Sequence, residues 1–94
     1  MKDHIIIIEN NDGTGTPLSL DFSTYHECKA AIAWQEKGGF DTDNLHIMHK
    51  DQLDRENLVQ GIFTDKAWNR FVNGLNDFLD DHIQFVHIGK ETKQ

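Results

Sequence analysis

Six histidines and one cysteine are the residues of this 94-residue chain best suited to bind a metal or act as a nucleophile. His46 and His49 are the most closely spaced histidines, but on a strand residues three apart point to opposite faces. His4 and His87 fall on other predicted strands and could meet across a sheet. No Cys/His pair has the spacing of a zinc site. The sequence therefore favours scattered surface histidines and no metal site, with a small metal- or ligand-binding domain as the alternative.

Cys28 is the only cysteine, so the chain cannot form an intramolecular disulfide. A nucleophilic cysteine needs a neighbouring charge or helix end that lowers its pKa. His26 and Lys29 are close in sequence, but such near neighbours do not share a helix face with it. Cys28 shares a side of the predicted helix with Tyr25 and Ile32, which favours a buried thiol. No nucleophile elbow, P-loop or dinucleotide motif is present, and we expect no catalytic residue, no cofactor and no enzymatic activity.

Acidic residues outnumber basic ones by 16 to 9, which gives a formal net charge of −7. A protein that binds nucleic acid through phosphate contacts needs clustered Lys and Arg residues, and the sequence has no such cluster. We therefore expect no direct binding to nucleic acid. The negative charge suits a partner with a basic surface, or it serves only to keep a small protein soluble.

The composition is typical of one folded domain. Hydrophobic residues make up 37% of the chain, or about 44% with its seven glycines, and charged residues 27%, close to the averages for globular proteins. The N-terminus lacks the apolar stretch and cleavage site of a signal peptide, and no run approaches the roughly 18 apolar residues of a membrane span. We predict a cytoplasmic protein without membrane contact, with a single domain over residues 1–89 and a polar tail over 90–94.

The apolar spacing predicts seven elements in the order β-β-α-β-α-α-β. Strand patterns occur at residues 5–8, 18–22, 45–49 and 83–88, and a turn-rich segment at 10–16 joins the first two into a hairpin. These elements predict an α+β two-layer sandwich with a four-stranded mixed sheet. The helices are expected to pack mainly on one face of that sheet. An open face or edge of that sheet would favour a homodimer.

Three helices are predicted from caps and apolar periodicity. Thr24 and Glu27 form a capping-box pattern that starts the first helix. The pair Gly38 and Gly39 ends this helix. Asp51 or Asp54 caps a short second helix. The longest helix covers residues 64–81 and has a continuous apolar stripe.

Trp34 lies on the side of the first helix opposite Cys28 and Ile32. A helix in a two-layer sandwich buries only one face. Trp34 therefore either packs against another helix or is exposed as an aromatic anchor for a partner.

The outward face of the longest helix carries charges in the order that the helix dipole disfavours. Lys66 and Arg70 lie early in the helix, and acidic residues lie at its end, whereas the dipole favours the reverse. Each like-charge pair four residues apart costs about 0.2–0.5 kcal/mol. Violations of a local rule are expected at functional sites, although solvent and salt also screen such charges.

Together these features predict a small acidic, non-enzymatic protein-binding module. The predicted contact residues are Asn73, Asp77, Asp80, Asp81 and Trp34. If the basic surface of the partner normally binds nucleic acid, the protein would act as a competitive inhibitor. In size and charge the chain resembles small acidic accessory proteins of phages and mobile elements, including anti-restriction and anti-CRISPR proteins. The alternative is a structural homodimer whose acidic helix serves only solubility.

Overall fold

The computed structural model describes residues 1–80, with the side chains of residues 1–76, and shows a three-stranded antiparallel sheet with two α-helices. The elements are β1 (His4–Glu9), β2 (Gly15–Pro17), α1 (Tyr25–Lys37), β3 (Leu45–His49) and α2 (Asp65–Asp80). Two 3₁₀ turns, Lys50–Gln52 and Arg55–Asn57, connect β3 to α2. The predicted α+β class is confirmed.

β1 is the central strand, in the order β2-β1-β3. Its run of isoleucines suits this position because a central strand covered on both faces needs apolar residues on both. Ile6 lies opposite Ile47 of β3, and Ile8 lies opposite Thr16 of β2. The described sheet is thus antiparallel throughout.

The predicted position of the second strand, at residues 18–22, is wrong. The observed strand is Gly15–Pro17, and the chain then leaves the ladder before it pairs again with β1 at Ser23. Leu20 and Phe22 alternate with polar residues because they pack against the core from outside the sheet. The period-two spacing indicated burial correctly but not strand hydrogen bonding.

The two helices cover opposite faces of the sheet. Alternation along β1 sends Ile5 and Ile7 to one face and Ile6 to the other. Ile5 and Ile7 belong to the core that includes Leu75 of α2, whereas Ile6 lines a small crevice with Cys28 of α1. The expectation that helices pack mainly on one face is therefore wrong, since the isoleucine run makes both faces apolar and each needs a cover.

The main core lies between α2 and the sheet. Its buried members are Ile5, Ile7, Leu53, Leu58, Phe71 and Leu75. The ring of Phe22 stacks on Phe71 at a centroid distance of 5.8 Å, and the ring of Trp68 lies 5.6 Å from the same ring. Such aromatic pairs contribute about 0.5–1.5 kcal/mol beyond the area they bury.

The predicted capping box of α1 is confirmed. Thr24 Oγ1 accepts a hydrogen bond from the Glu27 N–H at 3.1 Å, and Glu27 Oε1 accepts one from the Thr24 N–H at 2.9 Å. This backbone hydrogen bond, together with the charge of Lys2, holds the pKa of Glu27 below its ordinary value. The helix ends at Gly38, as predicted.

The predicted short helix is instead the pair of 3₁₀ turns. Asp54 is buried and caps the second turn, because its Oδ1 accepts from the Glu56 N–H at 3.1 Å and its Oδ2 accepts from Asn57 Nδ2 at 2.8 Å. Leu53 lies between the two turns and is fully buried. A segment this short forms 3₁₀ turns more readily than an α-helix, whose first turn is costly to nucleate.

The predicted longest helix is confirmed as α2. Thr64 Oγ1 accepts from the Ala67 N–H at 3.2 Å and so caps its start. The predicted fourth strand at 83–88 and the polar tail at 90–94 lie outside the described residues. Within the described part, neither helix combines the length and apolarity needed to cross a lipid bilayer.

Candidate functional site

Two large aromatic side chains are exposed at the C-terminal end of α1. Trp34 is 75% exposed and Phe40 is 65% exposed. Cys28 is buried and Ile32 is half-buried, so this opposite side of α1 faces the sheet. The alternative in which Trp34 packs against another helix is wrong, because α2 lies on the far face of the sheet.

Trp34 and Phe40 line one surface cleft. The cleft has a volume of about 390 Å³ and is lined by Trp34, Gln35, Lys37, Gly38 and Phe40. The N–H groups of Gly38 and Phe40 both donate to the Gln35 carbonyl at 3.1 Å, and Gly39 adopts a φ of +91° between them. This glycine turn holds Phe40 beside the last turn of α1. Backbone hydrogen bonds, rather than apolar contacts, therefore fix the position of Phe40.

Asp41, the residue after Phe40, lines a second cleft that is acidic. Its volume is about 470 Å³ and its lining is Glu9, Asn10, Asn11, Asp41, Asp43 and Asn44. Asp41 Oδ1 accepts from the Asp43 N–H at 3.0 Å, and Glu9 Oε1 lies 2.8 Å from His46 Nε2. No lysine or arginine of the described residues lines this cleft. We call Trp34, Phe40, Glu9, Asp41 and Asp43 the α1-end surface.

The electrostatics of the α1-end surface favour a cation. The C-terminal end of a helix carries partial negative charge from its aligned peptide dipoles, and the three carboxylates of the acidic cleft add to it. Lys37 offsets part of this charge from the last turn of α1. A positively charged group would therefore be attracted to the acidic cleft, which begins at Asp41 directly after Phe40, while Lys37 lines the aromatic cleft itself.

The structure describes the side chains of only two of the predicted contact residues, Trp34 and Asn73, and places them on different helices. Asn73 is exposed on α2, and the sheet separates α2 from Trp34 on α1. Asp77 and Asp80 belong to α2, but their side chains lie outside the described part, as does Asp81 altogether. The acidic face of α2 thus stays a prediction.

Sequence reasoning missed Phe40, Glu9, Asp41 and Asp43. Phe40 had one usable signal, since it follows two glycines and precedes an aspartate, in a loop with no helix or strand to bury it. The carboxylates had none, because only the pairing of β1 with β3 brings Glu9 to the same end of the sheet as the loop after α1.

The structure does bring two histidines together at the other end of the β1–β3 pair. The rings of His4 and His49 lie 5.0 Å apart, and His49 Nδ1 and Nε2 lie 2.7 Å from Asp51 Oδ1 and 3.0 Å from Asp3 Oδ2. Desolvation would raise the pKa of Asp3, but hydrogen bonds and charge from His4 and His49 hold it below its ordinary value. His46 lies on the opposite face, as its spacing predicts.

This cluster ties the start of β1 to the end of β3. Its carboxylates already bond to the imidazole nitrogens, and the described side chains, those of residues 1–76, contain no group of three or more that could hold a metal ion. His87, the other proposed partner of His4, lies outside the described residues.

Cys28 is expected to react slowly with thiol reagents in the folded protein. It is only 3% exposed, and burial, followed by the charge of Glu27, raises its pKa. The thiolate is the reactive form, so labelling by Ellman's reagent should be slow in buffer and fast in denaturant. A native rate equal to the denatured rate would contradict this placement.

The same shift has a defined pH dependence. Because the folded-state pKa is raised, Cys28 contributes stability below the ordinary value of 9.0, and that contribution is lost as the pH rises towards the folded-state pKa. A Cys28→Ser variant should lose this alkaline component, which urea unfolding at a series of pH values would measure.

The chain matches no known protein family, and neither a curated protein nor a solved structure is significantly similar to it. Among the exposed large hydrophobic residues of the described part, Trp34 and Phe40 line one cleft together. A contiguous exposed aromatic patch of this kind often marks an interaction site.

Proposed function

We propose that this chain is a small acidic, non-enzymatic protein-binding module that docks on a basic surface of a partner protein. The observation that carries the proposal is the exposure of Trp34 and Phe40 in one cleft at the end of α1. Tryptophan is among the residues most enriched in binding hot spots. Since the glycine turn already fixes the backbone of Phe40, little backbone ordering is needed when a partner binds.

Charge supports a basic partner. Glu9, Asp41 and Asp43 line an acidic cleft that begins one residue after Phe40, and the whole chain has a formal charge of −7. Complementary charge accelerates association and selects among partners, while buried aromatic groups supply most of the affinity. If the basic surface of the partner serves to bind nucleic acid, the docked protein blocks that surface and acts as a competitive inhibitor.

Two further predictions belong to this proposal. The apolar pattern of residues 83–88, which lie outside the described residues, predicts a fourth strand. The protein acts in the cytoplasm, which is consistent with the free thiol of Cys28.

The proposal is tested by affinity capture from lysate of the native host, followed by calorimetry with the isolated partner. Trp34→Ala should weaken binding by about 30-fold or more, as expected for a hot-spot tryptophan. Ile62→Ala is the matched control, since Ile62 is also an exposed large apolar residue but lies outside the cleft. Circular dichroism of each variant should confirm that the fold is retained.

Two triple variants of equal net charge separate the α1-end surface from the acidic face of α2. The first carries Glu9→Gln, Asp41→Asn and Asp43→Asn, and the second carries Asp77→Asn, Asp80→Asn and Asp81→Asn. We expect the first to weaken binding and to reduce its salt dependence more strongly than the second does. Loss of binding in the second alone would move the docking site to α2.

Two further results would contradict the proposal. Unchanged affinity of Trp34→Ala would show that the aromatic cleft is not the docking site. A mass near twice 10.9 kDa that persists at high salt, with no partner captured, would favour the structural homodimer.

A further inference from the structure

We infer that the α1-end surface recognises an arginine side chain of its partner. This inference rests on the proposed function and specifies the chemical group that the surface binds. The aromatic cleft supplies faces on which a planar cation can stack, and Asp41, the residue directly after Phe40, supplies a carboxylate that can accept its hydrogen bonds, with Asp43 bonded to it.

Within the described part of the chain, two other aromatic rings have a lysine ammonium group above them, whereas the rings of Trp34 and Phe40 do not. Lys29 Nζ lies 5.9 Å from the centroid of the Tyr25 ring, and Lys50 Nζ lies 4.7 Å from that of Phe22. Lys37 lines the same cleft, but among the described residues no cation lies over the ring of Trp34 or Phe40 in this way. Trp34 also offers the best ring for such a contact, because the indole attracts cations more strongly than the rings of Tyr or Phe.

The carboxylates of Asp41 and Asp43, which follow Phe40 in the chain, can accept further hydrogen bonds. Asp41 uses Oδ1 to accept from the backbone of Asp43, while the carboxylate of Asp43 accepts no hydrogen bond from the described residues. A guanidinium has five N–H donors in a planar fork, so one arginine can stack on an aromatic ring and still bond to a carboxylate.

Arginine fits this combination better than lysine. A lysine ammonium is a compact and strongly hydrated charge, which loses more hydration than a guanidinium when it contacts an aromatic face. It also cannot bond to a carboxylate through a planar fork while it stacks. Attraction by charge alone would not distinguish the two side chains, so a preference for arginine is the specific signature of this site.

The inference is tested with two synthetic peptides of equal length and charge, one of alternating Gly and Arg and one of alternating Gly and Lys. Two-dimensional NMR of the full chain reports binding at the indole N–H of Trp34. The indole of Trp68, which stacks against Phe63 and contacts Phe71, is the internal control. We expect the arginine peptide to shift the Trp34 signal and the Asp41 and Asp43 amides, and to bind about two- to fivefold more tightly than the lysine peptide.

A Trp34→Leu variant keeps an apolar side chain but removes the aromatic face, and it should abolish the preference for arginine. Equal binding of both peptides, or shifts at α2 instead of Trp34, would overturn the inference. Failure of both peptides to bind would overturn it too. The proposed function is judged separately, since a partner lost by Trp34→Ala would still establish docking through this cleft without arginine.

Discussion

Replacing Leu75 with alanine should lower the free energy of unfolding by about 3–4 kcal/mol. Leu75 is fully buried and packs in the core that α2 forms with the sheet, which includes Ile5, Ile7 and Phe71. The truncated side chain removes apolar contacts and leaves a cavity that the rigid strand cannot fill. Since a chain of this size is stable by only about 5–15 kcal/mol, the variant should be partly unfolded at moderate urea concentrations.

Ile62→Ala is the control for this effect, because it is also an aliphatic truncation but at a residue that is 97% exposed. Its free energy of unfolding should change by less than about 0.5 kcal/mol. Urea unfolding followed by far-ultraviolet circular dichroism measures both variants. A small effect at both positions would mean that α2 does not cover the face of the sheet formed by Ile5 and Ile7.

Local signals in the sequence predicted the ends of helices well. The capping box of Thr24 and Glu27 involves residues three apart, so the pattern that forms it is visible along the chain. The end of α1 at Gly38 and the cap of α2 at Thr64 are equally local. Such features depend on hydrogen bonds within one turn, and no tertiary contact is needed to specify them.

Features that depend on pairing between distant segments were predicted less well. Ile5 to Ile8 fit a strand covered on both faces, but nothing in that run states which helix covers which face. The position of β2 depends on its register with Ile7 and Ile8, which the alternation of Leu20 and Phe22 does not report. A strand pattern describes burial, whereas strand pairing also requires a partner backbone at the correct distance.

The same distinction applies to the candidate site. The helical wheel placed Trp34 away from Cys28, and the structure shows the exposed alternative. Phe40 lies beside Trp34 only through the glycine turn, and Glu9 meets the loop after α1 only through the pairing of β1 with β3. The sequence therefore pointed to one exposed aromatic residue, while the fold was needed to assemble the surface around it.

Gly61→Ala should destabilise the protein by about 2–4 kcal/mol, through backbone strain and a steric clash together. Gly61 has a φ of +70°, which L side chains rarely adopt, and a Cβ there would lie 2.5 Å from Thr16 Cγ2. The turn that contains Gly61 cannot easily move away from Thr16. The Val59 N–H donates to the Gly15 carbonyl at 2.9 Å, and this hydrogen bond holds the turn against β2. Chemical denaturation should show a lower midpoint without a change in the cooperativity of unfolding.

Two variants separate the backbone strain from the steric clash, and a third serves as a control without either. Gly39→Ala shares the strain, with a φ of +91°, but meets nothing within 4 Å, so its loss should be limited to about 1–2 kcal/mol. Adding Thr16→Ser to Gly61→Ala removes the clashing methyl group but keeps the hydroxyl, and should restore part of the stability. Gly74→Ala, in the open interior of α2, should instead stabilise the protein by about 0.5–1 kcal/mol. If Gly61→Ala were no worse than Gly39→Ala, the close approach of this turn to β2 would be disproved.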